Sequence, residues 1–418
     1  MKQRILFLPE WFYPEIASTA QLMSDLVFSL SNQYDITVVS RSPCSSGSTI
    51  PPYQFYKRYE EDVKGVHVIF TKEKPYNKKS KFSRFLGICR YFLQAKKEIR
   101  HCGRFDLVFS LGQPPLLGGM IAMYAKKKTG GKLIYNIQDF YPESLKVLGY
   151  VRLRFPLFVA QKIDNRACSS SDLVVVVGRD MTATLEKRFY KRSLPNNVVI
   201  NNWIDENQIS PLPKTNPGVS RFIDEHGLKD KLVFMYSGSL GLRYDLVNLV
   251  NVLTSFKSDD IRFVFVGEGV CKSEAENLVR EKRCRNFLFL PYQPKDELIY
   301  SLNSADVHFV FSAKSMKGIS VPSKVYGVFA VNKPIIGVMD SDTDAACLIR
   351  ESGSGLLVAP NDYLAFQKAI SQVIRDPDVF VSKHSCGRIY LEKNLSKEIS
   401  INKYQAAFSS LLGAKRGN

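Results

Sequence analysis

The residues best suited to chemistry are small and basic ones that directly follow apolar runs. Gly238 and Ser239 come after one such run, and Arg243 stands four residues beyond Ser239. A glycine lets backbone approach an anion closely, free N–H groups at the start of the next helix donate to it, and an arginine adds positive charge. These residues indicate either a phosphate-binding loop or a strand-to-helix turn that holds no ligand.

Two further loops follow apolar runs in the same half of the chain. Gly267 and Glu268 come after the first run, and Pro291 and Tyr292 come after the second. Gly267 either forms a turn or makes room for a nucleoside. The Tyr292 ring either flanks a base or is an ordinary half-buried aromatic, which is the commoner fate of tyrosine.

A fourth loop carries the most informative pattern. Gly318 and Ser320 lead to Pro322, which can occupy the first turn of a helix. Ser323 and Lys324 then stand where free N–H groups point outward and where a cation favours an anion. A diphosphate fits there without a metal ion.

The elements that must position these loops are buried strands alternating with helical segments. The apolar runs of the first half are residues 5–8, 36–40, 66–70, 107–110, 133–137, 173–177 and 198–200, and those of the second half are 232–236, 262–266, 287–290, 307–311, 334–338 and 355–358. Such runs are typical of parallel strands buried on both faces. They predict two doubly wound α/β domains, whose ligands lie at the carboxyl ends of the strands.

A polar, proline-rich stretch at 210–218 separates the two series. We expect an N-terminal domain over 1–205 and a C-terminal domain over 206–393. The helical segment 394–412 is expected to pack back on the first domain. A length of 418 residues with 45% apolar content is sufficient for two such cores.

Composition narrows the class of protein. No window approaches the roughly 18 apolar residues of a spanning helix, and the N-terminus lacks a secretory signal pattern, so a cytoplasmic protein is expected. The eight cysteines include no CxxC pair and read as reduced thiols. A formal net charge of +18 favours polyanions: nucleic acid, anionic lipid or phosphorylated small molecules. Because no nucleic-acid-binding module is recognisable, no nucleic acid partner is expected.

The fourth loop also carries the residues of a known family. The segments G-I-S-V-P-S-K-V-Y at 318–326 and A-V-N-K-P-I-I at 330–336 resemble the donor-binding region of retaining glycosyltransferases of family 4, which have the GT-B fold. The segments 137–144 and 200–205 resemble the subgroup that builds bacterial O-antigen and capsule, including fucosaminyltransferase-like enzymes. The resemblance covers nearly the whole chain and implies two Rossmann-like domains with a cleft between them. It implies that the N-terminal domain, 1–205, binds the acceptor and that the C-terminal domain, 206–393, binds the donor.

The resemblance implies a role for each candidate residue. It assigns Asp139, Arg243 and Lys324 to catalysis, with Asp139 standing where many relatives have a histidine that faces the donor sugar. It places the diphosphate near Gly238, Ser239, Arg243, Ser323 and Lys324 and the base near Pro291 and Tyr292. The implied donor-binding residues are Gly238, Ser239, Gly267, Glu268, Pro291, Tyr292, Gly318, Ser320 and Ser323. Retention without a metal ion or other cofactor is implied, with the leaving diphosphate accepting the proton of the incoming hydroxyl.

One position departs from the family pattern. Gly327 stands where most relatives have a glutamate that binds the donor's ribose. The resemblance then implies either weaker donor binding or that another group, such as Glu268, binds the ribose.

The acceptor side is expected after the first strand, near Ala17, Ser18 and Thr19, while Trp11 and Phe12 in the same loop are equally well explained as packing residues. The helical segment from Lys78 to Arg100 carries apolar residues on one face and basic residues on its flanks. It is expected to lie on an anionic membrane surface; the alternative is a surface helix with a solvated basic edge.

The resulting prediction is a hexosyl- or N-acetylhexosaminyl-type transferase. It would move a sugar from a nucleotide donor, UDP-linked, to a lipid-linked saccharide in O-antigen, capsule or lipopolysaccharide synthesis at the inner face of the cytoplasmic membrane. The alternatives are a nucleotide-sugar epimerase on the same scaffold and a subunit that has lost catalysis. An epimerase needs carboxylate and histidine groups in its site, and the five histidines form no cluster in the sequence.

Overall fold

The computed structural model describes residues 2–15, 17–44, 52–74, 81–147, 149 and 153–413, without the side chains of Lys81, Phe82, Arg84 and Arg243. The chain divides into two units. Unit 1 contains the residues up to Val177, Met181–Asn201 and the C-terminal part from Ser400, and unit 2 contains Gly178–Asp180 and Asn202–Ile399.

Unit 1 is built on an eight-stranded sheet of order β3-β4-β2-β1-β5-β6-β7-β8. Its strands are β1 (Arg4–Leu8), β2 (Asp35–Arg41), β3 (Tyr59–Val63), β4 (Val66–Thr71), β5 (Leu107–Leu111), β6 (Lys132–Ile137), β7 (Leu173–Val176) and β8 (Asn197–Val199). All neighbouring pairs are parallel except β3 and β4. The central strands are buried on both faces, as their continuous apolar runs predict.

The helices of unit 1 connect these parallel strands. They are α1 (Ser18–Leu30), α2 (Lys81–His101), α3 (Leu117–Thr129), α4 (Glu143–Val147), α5 (Arg154–Ser170), α6 (Arg179–Phe189) and α16 (Lys397–Gly413), of which α6 and α16 begin in residues that belong to unit 2. Helix α3 packs against both α2 and α5, so the three form one layer on the sheet. In α16, the Tyr404 hydroxyl accepts a hydrogen bond of 2.7 Å from Asn136 of β6.

Unit 2 is built on a six-stranded, fully parallel sheet of order β11-β10-β9-β12-β13-β14. Its strands are β9 (Leu232–Ser237), β10 (Ile261–Val266), β11 (Phe287–Leu290), β12 (Val307–Phe311), β13 (Ile335–Val338) and β14 (Gly355–Val358). Its helices are α7 (Pro217–Glu225), α8 (Leu246–Leu253), α9 (Lys272–Glu281), α10 (Leu298–Ser304), α11 (Lys324–Ala330), α12 (Asp344–Ser352), α13 (Tyr363–Arg375), α14 (Pro377–His384) and α15 (Gly387–Asn394). The chain runs outward from β9 to β11 and then returns beside β9 as β12, which makes β9 and β12 the topological switch point.

Two findings complete the comparison with the sequence. The apolar runs correspond to strands of both sheets, but the edge strand β3 was not predicted. Among the described residues, no helix is both long enough and apolar enough to cross a membrane.

Candidate functional site

The switch point of unit 2 brings Gly238 and Lys324 together. Gly238 follows β9 with φ +141°, and Lys324 is the first residue of α11, beyond the loop that follows β12. A Cβ on Gly238 would lie 2.2 Å from Cε of Lys324, so the lysine side chain lies directly across the glycine. The positive φ requires glycine at this position, and a side chain there would also push the flexible Lys324 side chain from its place.

Aromatic rings support the Lys324 ammonium group. Nζ lies 4.0 Å from the ring centroid of Tyr244 and 5.2 Å from that of Tyr236. Both distances allow cation–π attraction, which holds the charge at the end of β9. Among the described residues no carboxylate pairs with Lys324, so its charge is available to an anion.

The loops after β9 and β10 are interlocked through their backbones. Gly238 donates to the Val266 carbonyl at 2.8 Å, and a Cβ on Gly267 would lie 2.0 Å from the Gly238 carbonyl oxygen. A Cβ on Gly269 would likewise lie 2.1 Å from the carbonyl oxygen of Leu240. Gly267 therefore serves close backbone approach, and Gly269 is a second such position that the sequence analysis missed.

The ring of Tyr292 stands beside this pair of loops. Its hydroxyl donates to the Glu268 carbonyl at 3.4 Å, and the side chain of Ser239 hydrogen-bonds to the same phenol. The residue is 54% exposed, which leaves a flat aromatic surface open at the sheet edge. The Glu268 carboxylate instead pairs with Lys272 at 2.7 Å and points to solvent.

The remaining candidates of unit 2 lie around the same loops. The Gly318 N–H donates to Asp180 Oδ2 at 2.8 Å, and the desolvation of Asp180 raises the pKa of that carboxyl. Ser323 precedes α11 with an exposed side chain that makes no capping bond. Ser320 is half-buried and Pro291 is exposed. The Arg243 side chain lies outside the described part of the chain, and its backbone belongs to the short 3₁₀ helix Leu242–Tyr244.

Gly327 differs from the other glycines of the region. It lies within α11, and a Cβ there would meet Cδ1 of Ile204 at 3.6 Å and Cδ1 of Leu302 at 3.7 Å. These are ordinary contact distances, so space does not demand a glycine at this position. Its apolar neighbours offer no polar partner to a ribose.

In unit 1, Asp139 lies just after β6 and accepts a 3.4 Å hydrogen bond from the Tyr141 hydroxyl. Arg188 holds the following residues in place: it donates to the Tyr141 carbonyl at 2.9 Å and to Glu143 at 2.8 Å, and it lies 4.3 Å from the Phe140 ring centroid. Its third partner is Asp164, a buried carboxylate whose pKa desolvation raises. Arg188 was missed because its partners lie far away in sequence.

The acceptor-side candidates lie at the start of α1. Ser18 and Thr19 are its first two residues, and Ala17 immediately precedes them. Phe12 is a core residue that packs against Phe28, with ring centroids 5.6 Å apart, so the packing interpretation accounts for this side chain. Trp11 stacks under the Arg41 guanidinium at 4.5 Å.

No group of three or more His, Cys, Asp or Glu side chains suited to a metal ion occurs within the described ranges. At the carboxyl ends of its strands, unit 2 thus has the Lys324 cation, closely packed backbone at Gly238 and Gly267, and the exposed ring of Tyr292. Such a set can hold a phosphorylated nucleotide.

Comparison with known proteins identifies the class. Residues 220–389 match the family model described as glycosyl transferases group 1. These residues lie within unit 2, which is therefore similar to a group 1 glycosyltransferase domain. The chain is 29% identical over 346 residues to the probable glycosyltransferase WbjE of Pseudomonas aeruginosa. The aligned residues cover 81% of this chain and 84% of WbjE. It is 25% identical over 279 residues to the putative colanic acid biosynthesis glycosyl transferase WcaI of Escherichia coli (strain K12). The aligned residues cover 65% of this chain and 66% of WcaI.

Solved structures extend the likeness in fold to the whole chain. Sucrose-phosphate synthase from Thermosynechococcus elongatus superposes with a TM-score of 0.75 at 15% identity, covering 99% of this chain and all of that one. HepE of Anabaena, solved with UDP and glucose, superposes with a TM-score of 0.71 at 12% identity, covering 98% and 100%. Identities this low show the fold alone. The predicted fold, two parallel-sheet α/β domains of the GT-B type, is confirmed.

Proposed function

We propose that this glycosyltransferase moves a sugar from a UDP-linked donor, with retention, to a lipid-linked saccharide. The observation that carries the donor assignment is Lys324 lying across Gly238 at the switch point of a parallel sheet. A fixed cation beside close backbone suits a diphosphate, and the free ring of Tyr292 suits a base. UDP is favoured because HepE, a structural neighbour, is solved with UDP.

The proposed chemistry needs stabilisation of a departing diphosphate. The bond between the anomeric carbon and the diphosphate breaks, the acceptor oxygen bonds to that carbon from the same face, and its proton passes to a diphosphate oxygen. Lys324 neutralises the charge that develops on the leaving group, aided by Arg243 and by backbone near Ser239. No metal ion or other cofactor is proposed for this step, and Asp139 is assigned to the donor sugar on the family resemblance alone.

The ribose contact must differ from that of the family pattern. Gly327 has no carboxylate, and its neighbours are apolar. Glu268 is the carboxylate on the loop that also supports Tyr292, but it pairs with Lys272. We assign the ribose to Glu268, which exchanges its lysine partner for the sugar hydroxyls when donor binds.

The acceptor is proposed to be a membrane-borne saccharide of the O-antigen, capsule or lipopolysaccharide kind, bound near Ala17, Ser18 and Thr19. The name of WcaI, which refers to colanic acid biosynthesis, supports an envelope polysaccharide. Helix α2 exposes Phe85 and Leu93 beside basic residues, which supports attachment to the inner face of the cytoplasmic membrane. Lys78 and Lys79, part of the predicted segment, lie outside the described residues.

Calorimetry with UDP, GDP and ADP in the presence of EDTA tests the donor site first. Micromolar binding of UDP alone is expected, and binding of GDP or ADP in its place would change the donor class. A protein that binds none of the three would act as a scaffold subunit rather than a transferase. Transfer from UDP-sugars to an extracted lipid-linked acceptor then tests the reaction, and release of an epimerised donor would instead indicate an epimerase.

A further inference from the structure

A pocket on unit 1, formed by α5, α6 and the residues after α6, has no place in the proposed reaction. Its volume is about 330 Å³. The lining residues that matter to its chemistry are Phe158, Lys162, Asn165, Lys187, Lys191 and Arg192. The pocket thus combines four cations with an amide and an aromatic ring.

The four cations are not neutralised. Within the described part of the chain, no carboxylate lies within ion-pair distance of Lys162, Lys187, Lys191 or Arg192. Arg188, which also lines the pocket, is by contrast buried and paired with Glu143 and Asp164. A concave surface with four unpaired positive charges attracts a compact anion.

Asn165 is a second, independent sign of a ligand. The residue is 8% exposed, and its Oδ1 atom has no hydrogen-bond partner among the described residues. Buried polar side chains of folded proteins are almost always partnered. The Oδ1 atom itself is buried, so the carboxamide meets a ligand in the pocket only when the side chain turns, which presents either the oxygen to a hydroxyl or the NH₂ to a phosphate oxygen.

Large apolar and aromatic side chains at the start of α5 and directly after α6, the two helices that form the pocket, point to solvent. Phe155 is 76% exposed and Tyr190 87% exposed, and Leu153 and Phe158 are exposed as well. The Lys162 ammonium lies 4.4 Å from the centroid of the Phe158 ring, so a positive charge and an exposed aromatic ring are in direct contact. A soluble anion would leave these side chains in water, whereas a lipid surface would bury them.

We propose that this pocket binds the phosphate headgroup of an anionic lipid while Leu153, Phe155, Phe158 and Tyr190 enter the bilayer beside it. This lipid contact lies at the pocket formed by α5 and α6 and is separate from the proposed membrane contact of α2. It deepens the proposed function, because it would hold the enzyme where a lipid-linked acceptor is found. It does not depend on donor binding, which involves unit 2.

Vesicle sedimentation of the full chain, without donor, tests the proposal. Phosphatidylcholine vesicles with and without phosphatidylglycerol are the probes, and binding is expected only with the anionic lipid. Lys187→Ala/Lys191→Ala should weaken that binding about 30-fold, from roughly 1 kcal/mol for each basic residue near an anionic surface. Phe155→Ser/Phe158→Ser should weaken it roughly tenfold or more through lost apolar burial.

Matched variants separate the possible results. Lys368→Ala/Lys393→Ala removes the same charge from exposed positions of unit 2 and should bind vesicles like the unmodified chain. Wild-type binding by both pocket variants, or loss confined to Lys96→Ala/Lys97→Ala on α2, would overturn the proposal. Pyrophosphate binding that depends on Lys187 and Lys191, without vesicle binding, would make the ligand a soluble anion and also overturn it. UDP binding should be equal in every variant, so failure here is distinct from failure of the donor site.

Discussion

At the scale of single residues, the glycines of unit 2 are distinguished by what a side chain would meet. Gly238 and Gly267 have φ near +140°, and a Cβ on either would clash with Lys324 or with backbone. Gly327 is helical and has ordinary space around its missing Cβ. The geometry of the site therefore requires glycine at 238 and 267. At 327 it does not, and what matters there is that the residue has no carboxylate.

These glycines give a matched pair of substitutions. Gly238→Ala should abolish nucleotide binding, because Lys324 must leave its place, and should lower the free energy of unfolding by about 1–3 kcal/mol through backbone strain. Gly327→Ala should raise that free energy by about 0.5–1 kcal/mol, since alanine is favoured over glycine within a helix. Urea denaturation and UDP calorimetry measure both, and equal behaviour of the two variants would contradict the geometry.

Lys324 is the residue on which the donor assignment depends most. Lys324→Ala should weaken UDP binding about 10–100-fold, the range for loss of a hydrogen bond to a charged group, and should cripple transfer. The unfolding midpoint should change little, because the rings of Tyr236 and Tyr244 remain packed. Lys368→Ala is the control for loss of one positive charge. Normal turnover by Lys324→Ala would refute the placement of the diphosphate.

His308 makes stability depend on pH. It is fully buried in β12, its Nε2 bonds to the Leu302 carbonyl at 3.0 Å, and burial lowers its pKa to about 4. Below about pH 6.5 the unfolded chain gains a proton that the folded chain refuses. Above about pH 6.5 His308 therefore takes nothing from the free energy of unfolding. As the pH falls towards 4, that free energy decreases by about 3 kcal/mol. Urea denaturation of the wild type and of His308→Gln should show this loss in the wild type only.

At the scale of elements, the sequence predicts the strands whose two faces are buried, because burial leaves a continuous apolar run. The strand β3 reads Tyr-Glu-Glu-Asp-Val and lies at the sheet edge, joined to β4 by Lys64 and Gly65 with positive φ. A polar edge strand with a two-residue turn carries no apolar run, so only the three-dimensional pairing reveals it.

The candidate site shows the same division. The positions of Gly238, Gly267 and Tyr292 at the ends of strands were predictable, because each follows a recognisable apolar run. Gly269 has a role only because the Leu240 carbonyl approaches it across the sheet edge, and no local pattern encodes that approach. Arg188 likewise gains its place from partners 24 and 45 residues away in sequence.

Helix α16 offers a test at this scale, since its aromatic residues complete the core of unit 1. The Phe408 ring lies 6.0 Å from that of Phe7 and 5.9 Å from that of Phe109. Phe408→Ala should destabilise unit 1 by about 3–5 kcal/mol, the usual cost of removing a buried phenylalanine. The exposed Leu364→Ala is the control, and denaturation followed by tryptophan fluorescence is the measurement. A change below about 1 kcal/mol would show that α16 contributes little to this core.

At the scale of the whole molecule, the predicted donor residues all belong to unit 2, apart from Asp139. Four apolar clusters of unit 2 are built only from residues between Ile204 and Leu395. Its six strands also lie in the single stretch Asn202–Ile399, so no strand of that sheet comes from elsewhere in the chain. The donor loops thus have every strand and these apolar clusters of unit 2 in one continuous segment, and Gly178–Asp180 is the part of the unit that lies outside it.

A fragment of residues 202–399 should therefore fold and bind UDP by itself. The fragment loses the hydrogen bond from Gly318 to Asp180 and the ion pairs of Arg179 with Asp344 and Glu351. At about 1 kcal/mol for the hydrogen bond and a similar amount for the ion pairs, the dissociation constant should rise about 30-fold or less. Transfer should vanish, because Asp139 and the acceptor side belong to unit 1. Circular dichroism and calorimetry on the fragment test this. A folded fragment without UDP affinity would mean that unit 1 supplies part of the nucleotide site, and the role of Lys324 would then need revision.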